Sequence, residues 1–461
     1  MGISSAFNVA TSGLRTTALQ SDLVARNISN ASTEGYTRKS ADLVTRNGAV
    51  MVAGVTREVD SLLDRLDRTN RSELSRTRTV AEGLKTYTDL LGQPTDGTSP
   101  AAGLNTVYNA LITLSGAPNG PAAQQGAVES AKNLARQIND LAVVANELSR
   151  EVDLNIRYDV SDLNDRLGRI GQINMRLLQS APGGVEGAEL QDELGRLLDE
   201  VSDYMDIQVT SYADGAVNVY TSGGTELVQG RRVTTLSYET VTGTIRAGDV
   251  DITPGRTGAR GFEAGSLAGL IELRDVAVPA IRAELDGFAS DLITRFAAAD
   301  PTLAANAHGL FTDSAIGGTG IDSSGLAARL IVNTAVDPVA GGDPARLGTG
   351  LGTGATLDPG TTTIINNMLN QIDQRPVGGQ SLADRAANMV ASQQQMRVSA
   401  ERAVQSAEIS GATISASRQN LQGVNIDDEL QVLMVIEQSY AANAKVLTSL
   451  QQMLDSLMDA V

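Results

Sequence analysis

Cysteine is absent from this chain of 461 residues, and so is tryptophan. Without thiols there is no disulfide, no thiolate nucleophile and no cysteine-held metal. Aromatic residues make up 3% of the chain, too few to line a large aromatic pocket. Histidine occurs once, in Asn306-Ala307-His308-Gly309, so neither a zinc cluster nor a cysteine–histidine dyad can be built. A serine triad would have to use His308, yet no Gly-x-Ser-x-Gly elbow precedes it. No phosphate-binding loop or dinucleotide fingerprint is present. The 54 acidic residues offer many chance carboxylate pairs, none marked out by a motif. Nothing therefore points to an enzyme, a catalytic residue, a metal or a cofactor. Lysine is scarce as well, confined to Lys39, Lys85, Lys132 and Lys445. A net charge of -18 argues against nucleic acid as a partner, because phosphate binding needs clustered cations. No apolar run has the length of a membrane span. The first residues lack the basic start, greasy centre and small-residue cleavage site of a signal peptide. If the protein leaves the cell, the expectation is a route that does not cleave its N-terminus.

What the chain does have is helical periodicity at both ends. Ile3, Phe7, Ala10, Leu14, Thr17, Ser21, Val24 and Ile28 form one stripe. Leu433, Ile436, Tyr440, Asn443, Leu447, Leu450, Leu454, Leu457 and Val461 form another, advancing in alternating steps of three and four. That is the spacing of a coiled-coil seam. The charges agree modestly. Residues 1–46 hold Arg15, Arg26, Arg38, Lys39 and Arg46 against Asp22, Glu34 and Asp42. Residues 424–461 hold Asp427, Asp428, Glu429, Glu437, Asp455 and Asp459 against Lys445. Asp427, Asp428 and Glu429 read as first-turn acids of a helix, where negative charge is favourable.

Between the ends, Asn27 to Tyr36 reads as a helix stop, since Asn, Ser and Gly compete for backbone hydrogen bonds or tolerate left-handed geometry. A short extended stretch around Leu43 to Val55 and a helix from about Arg57 to Leu91 follow. Gln93 to Pro100 is a loop. The longest signal runs from Val128 to Leu178. Leu134, Ile138, Leu141, Ala145, Leu148 and Val152 keep the three-four spacing, Ile156 and Val160 shift it as a stutter does, and Leu163, Leu167, Ile170, Asn174 and Leu177 resume it. A helix of about 50 residues spans roughly 75 Å. Gly168 and Gly171 weaken it locally by roughly 1 kcal/mol each where exposed. After a short helix at Glu189 to Asp203 the period falls to two, and Asp214-Gly215 reads as a hairpin turn. Helix returns at Leu267 to Phe296, with Pro279 expected to kink it or mark a start. Residues 301–380 are Gly- and Thr-rich and read as an irregular insertion. Two more helices, Leu382 to Ser417 and Asp427 to Val461, close the chain.

The expected fold is mostly α with β-rich outer parts. It is elongated and multi-domain, with long coiled-coil helices from both termini packed together and the centre of the chain outboard. The expected division is residues 1–50 with 415–461 as an inner terminal-helix domain. Residues 51–205, 262–300 and 381–414 form a long-helix bundle. Residues 206–261 are rich in β-hairpins, and 301–380 form a reduced outer insertion.

Four blocks of residues resemble a known family. Ala25-Arg26-Asn27-Ile28-Ser29-Asn30-Ala31-Ser32-Thr33-Glu34-Gly35-Tyr36 is similar to the N-terminal motif of flagellar axial proteins, the rod, hook and hook-associated subunits. Gly423 to Leu430 with Gln438 to Leu447, the segment Gly265 to Asp275, and Thr221 to Gly230 resemble the hook-associated proteins of the hook–filament junction. The chain looks short for that family. The resemblance implies a structural subunit exported unfolded through the type III apparatus and polymerised at the hook tip. It implies a ring of about 11 copies of itself. The other implied partners are the hook protein below, a second junction protein above and a cytoplasmic export chaperone on the C-terminal helices. The assembly interface is then expected on Ile3, Phe7, Leu14, Ile28, Asn30, Gly35, Tyr36, Leu433, Ile436, Tyr440, Asn443, Leu447, Leu450, Leu454 and Leu457. The alternatives are the hook protein or another axial subunit, and a secreted coiled-coil adhesin, which would need neither the paired terminal seams nor the Asn-Ile-Ser-Asn block.

Overall fold

The computed structural model describes residues 3–33, 35–181, 183–305, 307–315, 324–353 and 356–459. Helix α1 (Ile3–Ser29) leads into a hairpin, β1 (Lys39–Arg46) and β2 (Ala49–Arg57). Helices α2 (Ser61–Leu91), α3 (Pro100–Gly116), α4 (Pro121–Gln179) and α5 (Val185–Tyr204) follow. Seven short strands come next: β3 (Ile207–Ser211), β4 (Val217–Thr221), β5 (Glu226–Gln229), β6 (Arg232–Val233), β7 (Leu236–Glu239), β8 (Thr244–Ala247) and β9 (Val250–Asp251). Helix α6 (Ser266–Glu272) passes through a π turn, Leu273–Ala277, into α7 (Val278–Ala298). A small hairpin, β10 (Phe311–Asp313) with β11 (Leu330–Val332), precedes α8 (Arg346–Thr349), α9 (Thr363–Asp373), α10 (Leu382–Gln422) and α11 (Ile426–Met458). The fold is mostly helical, with small antiparallel sheets and the helices of the two chain ends packed together.

The chain divides into two compact units. The first is Met1–Arg76, Arg157–Ala268 and Gln405–Val461; the second is Thr77–Ile156 and Gly269–Val404. The division falls in α4 at the stutter, where Val152, Ile156 and Val160 are all buried.

In the first unit, α1 lies against α11 and against the β1–β2 hairpin. Two faces of α1 are therefore used. Ala10, Thr16, Thr17, Leu23, Val24 and Asn27 are buried, whereas Phe7, Leu14 and Ile28 are half-buried. The hydroxyls of Ser12 and Thr16 donate to the Val50 carbonyl, at 2.6 and 3.1 Å, and so fix the hairpin on the helix. Asn47 and Gly48, both at positive φ, make its turn. The β-rich part comprises a four-stranded sheet, β3-β4-β5-β6, and a three-stranded one, β7-β8-β9. Both are gripped by asparagines of α4. Asn174 donates to Val217 O at 2.8 Å and Gly230 O at 2.7 Å, and accepts from Val217 N at 3.0 Å. Asn164 donates to Leu236 O and accepts from Leu236 N in the same manner. A side-chain amide carries both a donor and an acceptor group, as a peptide does. Gly171 lets the sheet approach: a Cβ there would meet Val233 Cγ2 at 2.8 Å, while Gly168 has open space.

In the second unit, Ser99 caps α3 by accepting from Ala102 N, and Pro100 sits where its missing N–H costs nothing. Phe296 and Phe311 meet edge to face, 4.9 Å between centroids. Tyr87 donates to Gln393 Oε1 at 2.7 Å, and Gln393 donates to Glu284 at 2.9 Å. Pro279, expected to kink the helix or mark a start, falls in the first turn of α7, just after the π turn that ends at Ala277. Residues 301–380, read from composition as irregular, carry folded pieces among long loops. Leu310, Phe311, Leu330, Val332, Ile364, Ile365 and Met368 are all buried. Brief apolar patches in a polar background do not announce this core by period.

Candidate functional site: the clamp between the chain ends

Asn27 is the centre of the site. It is in the last turn of α1, 1% exposed, and uses its whole amide. Its Nδ2 donates to Lys39 O at 2.9 Å and to Glu429 Oε2 at 3.2 Å. Its Oδ1 accepts from Lys39 N at 3.1 Å and from Tyr36 OH at 3.0 Å. One side chain thus joins the end of α1, the start of β1 and the first turn of α11.

Glu429 is buried too, 1% exposed. Besides Asn27 it accepts from Arg38 Nε at 2.6 Å, and Arg38 also reaches Glu58 at 2.7 Å. The Glu429 hydrogen bond helps hold the Arg38 guanidinium above its ordinary pKa. Read from sequence as one of three first-turn acids, Glu429 also lies on the inner seam, seven residues before Ile436. Arg38 N donates to Gln422 O at 3.0 Å, tying the end of α10 to the same loop.

Beneath this lies a buried ion group. Lys39, with a side chain 1% exposed, pairs with Asp192, and Arg57 Nε meets the same carboxylate at 2.7 Å. Thr37 donates to Asp192 at 2.7 Å. The Lys39 ammonium stands 3.7 Å from the centre of the Tyr36 ring, a cation–π contact. Burial, with the Asp192 charge adding to it, pushes the Tyr36 phenol up to about 12. Buried ion groups of this kind contribute geometry more than stability, and losing one partner is what costs.

The loop geometry follows. Asn30 closes α1, donating to Arg26 O at 2.9 Å. Gly35 sits at φ +75°, and a Cβ there would lie 2.5 Å from Arg196 Cγ. A second ion group flanks the loop. Arg418 of α10 meets Asp64 and Asp67 of α2 and Asp199 of α5 at 2.9, 2.8 and 3.0 Å. Burial raises the Asp199 and Asp203 carboxyls in spite of the arginines around them. The loop, α2, α5 and the end of α10 enclose a polar groove of about 840 Å³.

Along the helix pair, Ile436 and Leu450 are buried, and Leu433, Asn443 and Leu447 are half-buried. Tyr440 and Leu454 are exposed, 50% and 37%. A Cβ on Gly13 would meet Asn443 Nδ2 at 2.7 Å. Asn27 lies fourteen residues after Gly13, and Glu429 fourteen before Asn443. The two contacts are therefore in one antiparallel register, two heptads apart. The side chains of Ile3 and Leu457, and all of Val461, lie outside the described residues. The structure thus brings Asn27, Gly35, Tyr36, Arg38, Lys39 and Glu429 together and leaves Asn30 at the rim. Of the expected set on α11, Asn443 lies against Gly13 of α1, and Ile436 and Leu450 are buried.

Three family profiles fall on these pieces. One described as a flagella basal body rod protein matches residues 7–37, which hold α1 from Phe7 onward and the loop to Thr37. The C-terminal profile of the flagellar basal body rod FlgEFG proteins matches residues 414–460, which hold Arg418, Gln422, Glu429 and Asn443. Between them, residues 84–302 match the helical domain of the flagellar hook-associated protein FlgK. The flagellar hook-associated protein 1 of Escherichia coli is 24% identical over 99% of this chain and 100% of its own length. Along its length the chain is similar to the flagellar hook-associated protein 1 family. The family's Bacillus subtilis member is 23% identical over 95% of this chain and 94% of its own length. With the Salmonella typhimurium member, 25% identical, the match covers 50% of this chain and 43% of that protein. The chain spans less than half of that relative's length. The two end profiles coincide with the two halves of the Asn27–Glu429 clamp.

Proposed function

We propose that this chain is a structural subunit of the bacterial flagellum, placed outside the cell between hook and filament, and not an enzyme. The observation that carries the reading is the paired chain ends. A helix pair joined by a buried clamp, with Phe7, Leu14, Tyr440 and Leu454 left partly or largely exposed, is half of a bundle. Two helices cannot cover each other's whole apolar surface, and neighbours in a polymer can. The helical-domain profile over residues 84–302 favours the hook-associated member over hook or rod subunits. The partners on this reading are further copies in a ring of about 11, the hook protein below and a second junction protein above. Before export, a chaperone holds the C-terminal helices.

The test is Leu450→Asp, with Leu447→Asp beside it, in cells that build flagella with this chain. Both variants should be exported, retain the helical signal of the second unit, and leave hooks without filaments. Full-length filaments on cells making either variant would overturn the reading.

A further inference from the structure

Helix α11 carries a second apolar seam that none of the described residues covers. Val435, Ala442, Val446 and Met453 are spaced seven, four and seven residues apart. At about 100° per residue they fall in one stripe, and Val435 stands one residue from Ile436, so that stripe lies about 100° round from the seam on α1. Val435, Val446 and Met453 are 62%, 48% and 52% exposed. The helix and its C-terminal end are net acidic, with Asp427, Asp428, Glu437, Asp455 and Asp459 against Lys445, and none of the five acids makes an ion pair among the described residues. At about 100° per residue Asp428 falls on the stripe, while Glu437 and Asp455 fall on another face.

The hairpin on α1 has the opposite character. Val44 and Met51 are directly paired across its strands, and both are about half exposed. Leu43 beside them is 50% exposed. Arg46 at the hairpin tip and Arg15 on α1 also lack an ion-pair partner among the described residues. An apolar stripe on a net acidic helix and an apolar ribbon beside free arginines are complementary, yet they occupy different places on one chain. A contact between them must join two copies, and it leaves each copy with one unused half, so it propagates.

We propose that the outer seam of α11 seats the β1–β2 hairpin of a second copy of this chain. The proposal rests on the assembly reading above and names the surfaces that meet. Val446 and Met453 of one copy pack on Val44 and Met51 of the next, and Arg46 lies toward the acids of α11.

The cysteine-free chain makes the test clean. Met51→Cys and Val446→Cys are introduced into separate genes, and both are expressed in the same cells. Isolated flagella are then treated with a short thiol–thiol crosslinker. The expected product is a dimer containing one chain of each kind, in several-fold excess over either like-with-like dimer. Adding Arg46→Glu should lower its yield several-fold, and Arg46→Lys should restore most of it. Three outcomes would each overturn the proposal while leaving the assembly reading intact: dimers formed only between two Val446→Cys chains, attachment of the Val446→Cys chain to a different protein, or no product from flagella that contain both chains. Absence of unmodified chain from flagella would remove both.

Discussion

Three asparagines do the same physical job in this molecule. Asn27, Asn164 and Asn174 each offer an amide to a strand backbone and receive one in return. The exchange satisfies peptide groups that a short strand would otherwise bury unpaired. Asn27→Ala leaves Lys39 N–H and C=O without their partner and one oxygen of Glu429 short of a donor. The expected loss is about 2–3 kcal/mol, since each buried unpaired group costs roughly 1–3; urea unfolding measures it. Tyr36 gives a pH signature. Its proton is held to about 12 in the folded chain and leaves near 10 in the unfolded one. Its contribution is complete below pH 10 and fades as pH climbs toward 12. Between pH 9 and 11.5 the unfolding free energy should therefore fall more for the parent chain than for Tyr36→Phe, and equal losses would contradict this. Most of these partners are not legible by period. Asn27 stands beside the stripe rather than on it, and Lys39 and Asp192 look like solvated charges until the fold buries them. Glu429 carries the one usable signal, because its spacing from Leu433 and Ile436 is that of the inner seam.

At the scale of elements, the long helices are the most readable part. α4 is continuous over 59 residues, and the stutter at Ile156 and Val160 is buried where the spacing placed it. Short elements are less readable. Helix α3 follows a loop of Gly, Pro and Thr and escapes the sequence reading, although Ser99-Pro100 is a good start signal and Leu104, Val107, Leu111 and Leu114 keep the helical spacing. The π turn at Leu273–Ala277 takes more residues per turn than an α-helix, which no count of apolar positions reveals. The glycines of α4 predict opposite signs. Gly168→Ala should stabilise by roughly 0.5–1 kcal/mol, because the site is open and Ala favours helix. Gly171→Ala should destabilise, because Val233 is in the way. Thermal unfolding of the two variants separates them. In the terminal pair, Gly13→Leu should lower hydrogen-exchange protection of α1 and α11, because the new side chain displaces Asn443. Combining it with Asn443→Gly should return much of that protection; no recovery would mean the contact does not set the register.

At the scale of the molecule, Arg418 has three carboxylates from two helices to neutralise. Arg418→Ala removes the guanidinium shared by Asp64, Asp67 and Asp199, leaving Asp67 to Arg71 and Asp199 to Arg68, and should cost about 3 kcal/mol of stability, as loss of one partner of a buried ion group does. Asp199→Asn should cost far less near neutral pH, since burial already raises that carboxyl and works against its ionised form. A larger loss for Asp199→Asn than for Arg418→Ala, by denaturant midpoint, would reverse this assignment.

The amide of Asn27 and the carboxylate of Glu429 are 402 residues apart along the chain. A contact that distant carries a high loop-closure cost and is a poor place for folding to nucleate. As the polypeptide emerges from its N-terminus, Arg38 and Asn27 have to wait, still wetted, until nearly the whole sequence has appeared. A chain broken off before α11 never delivers the missing acceptor. The clamp thereby acts as a length gauge: only a copy made through Glu429 can close it.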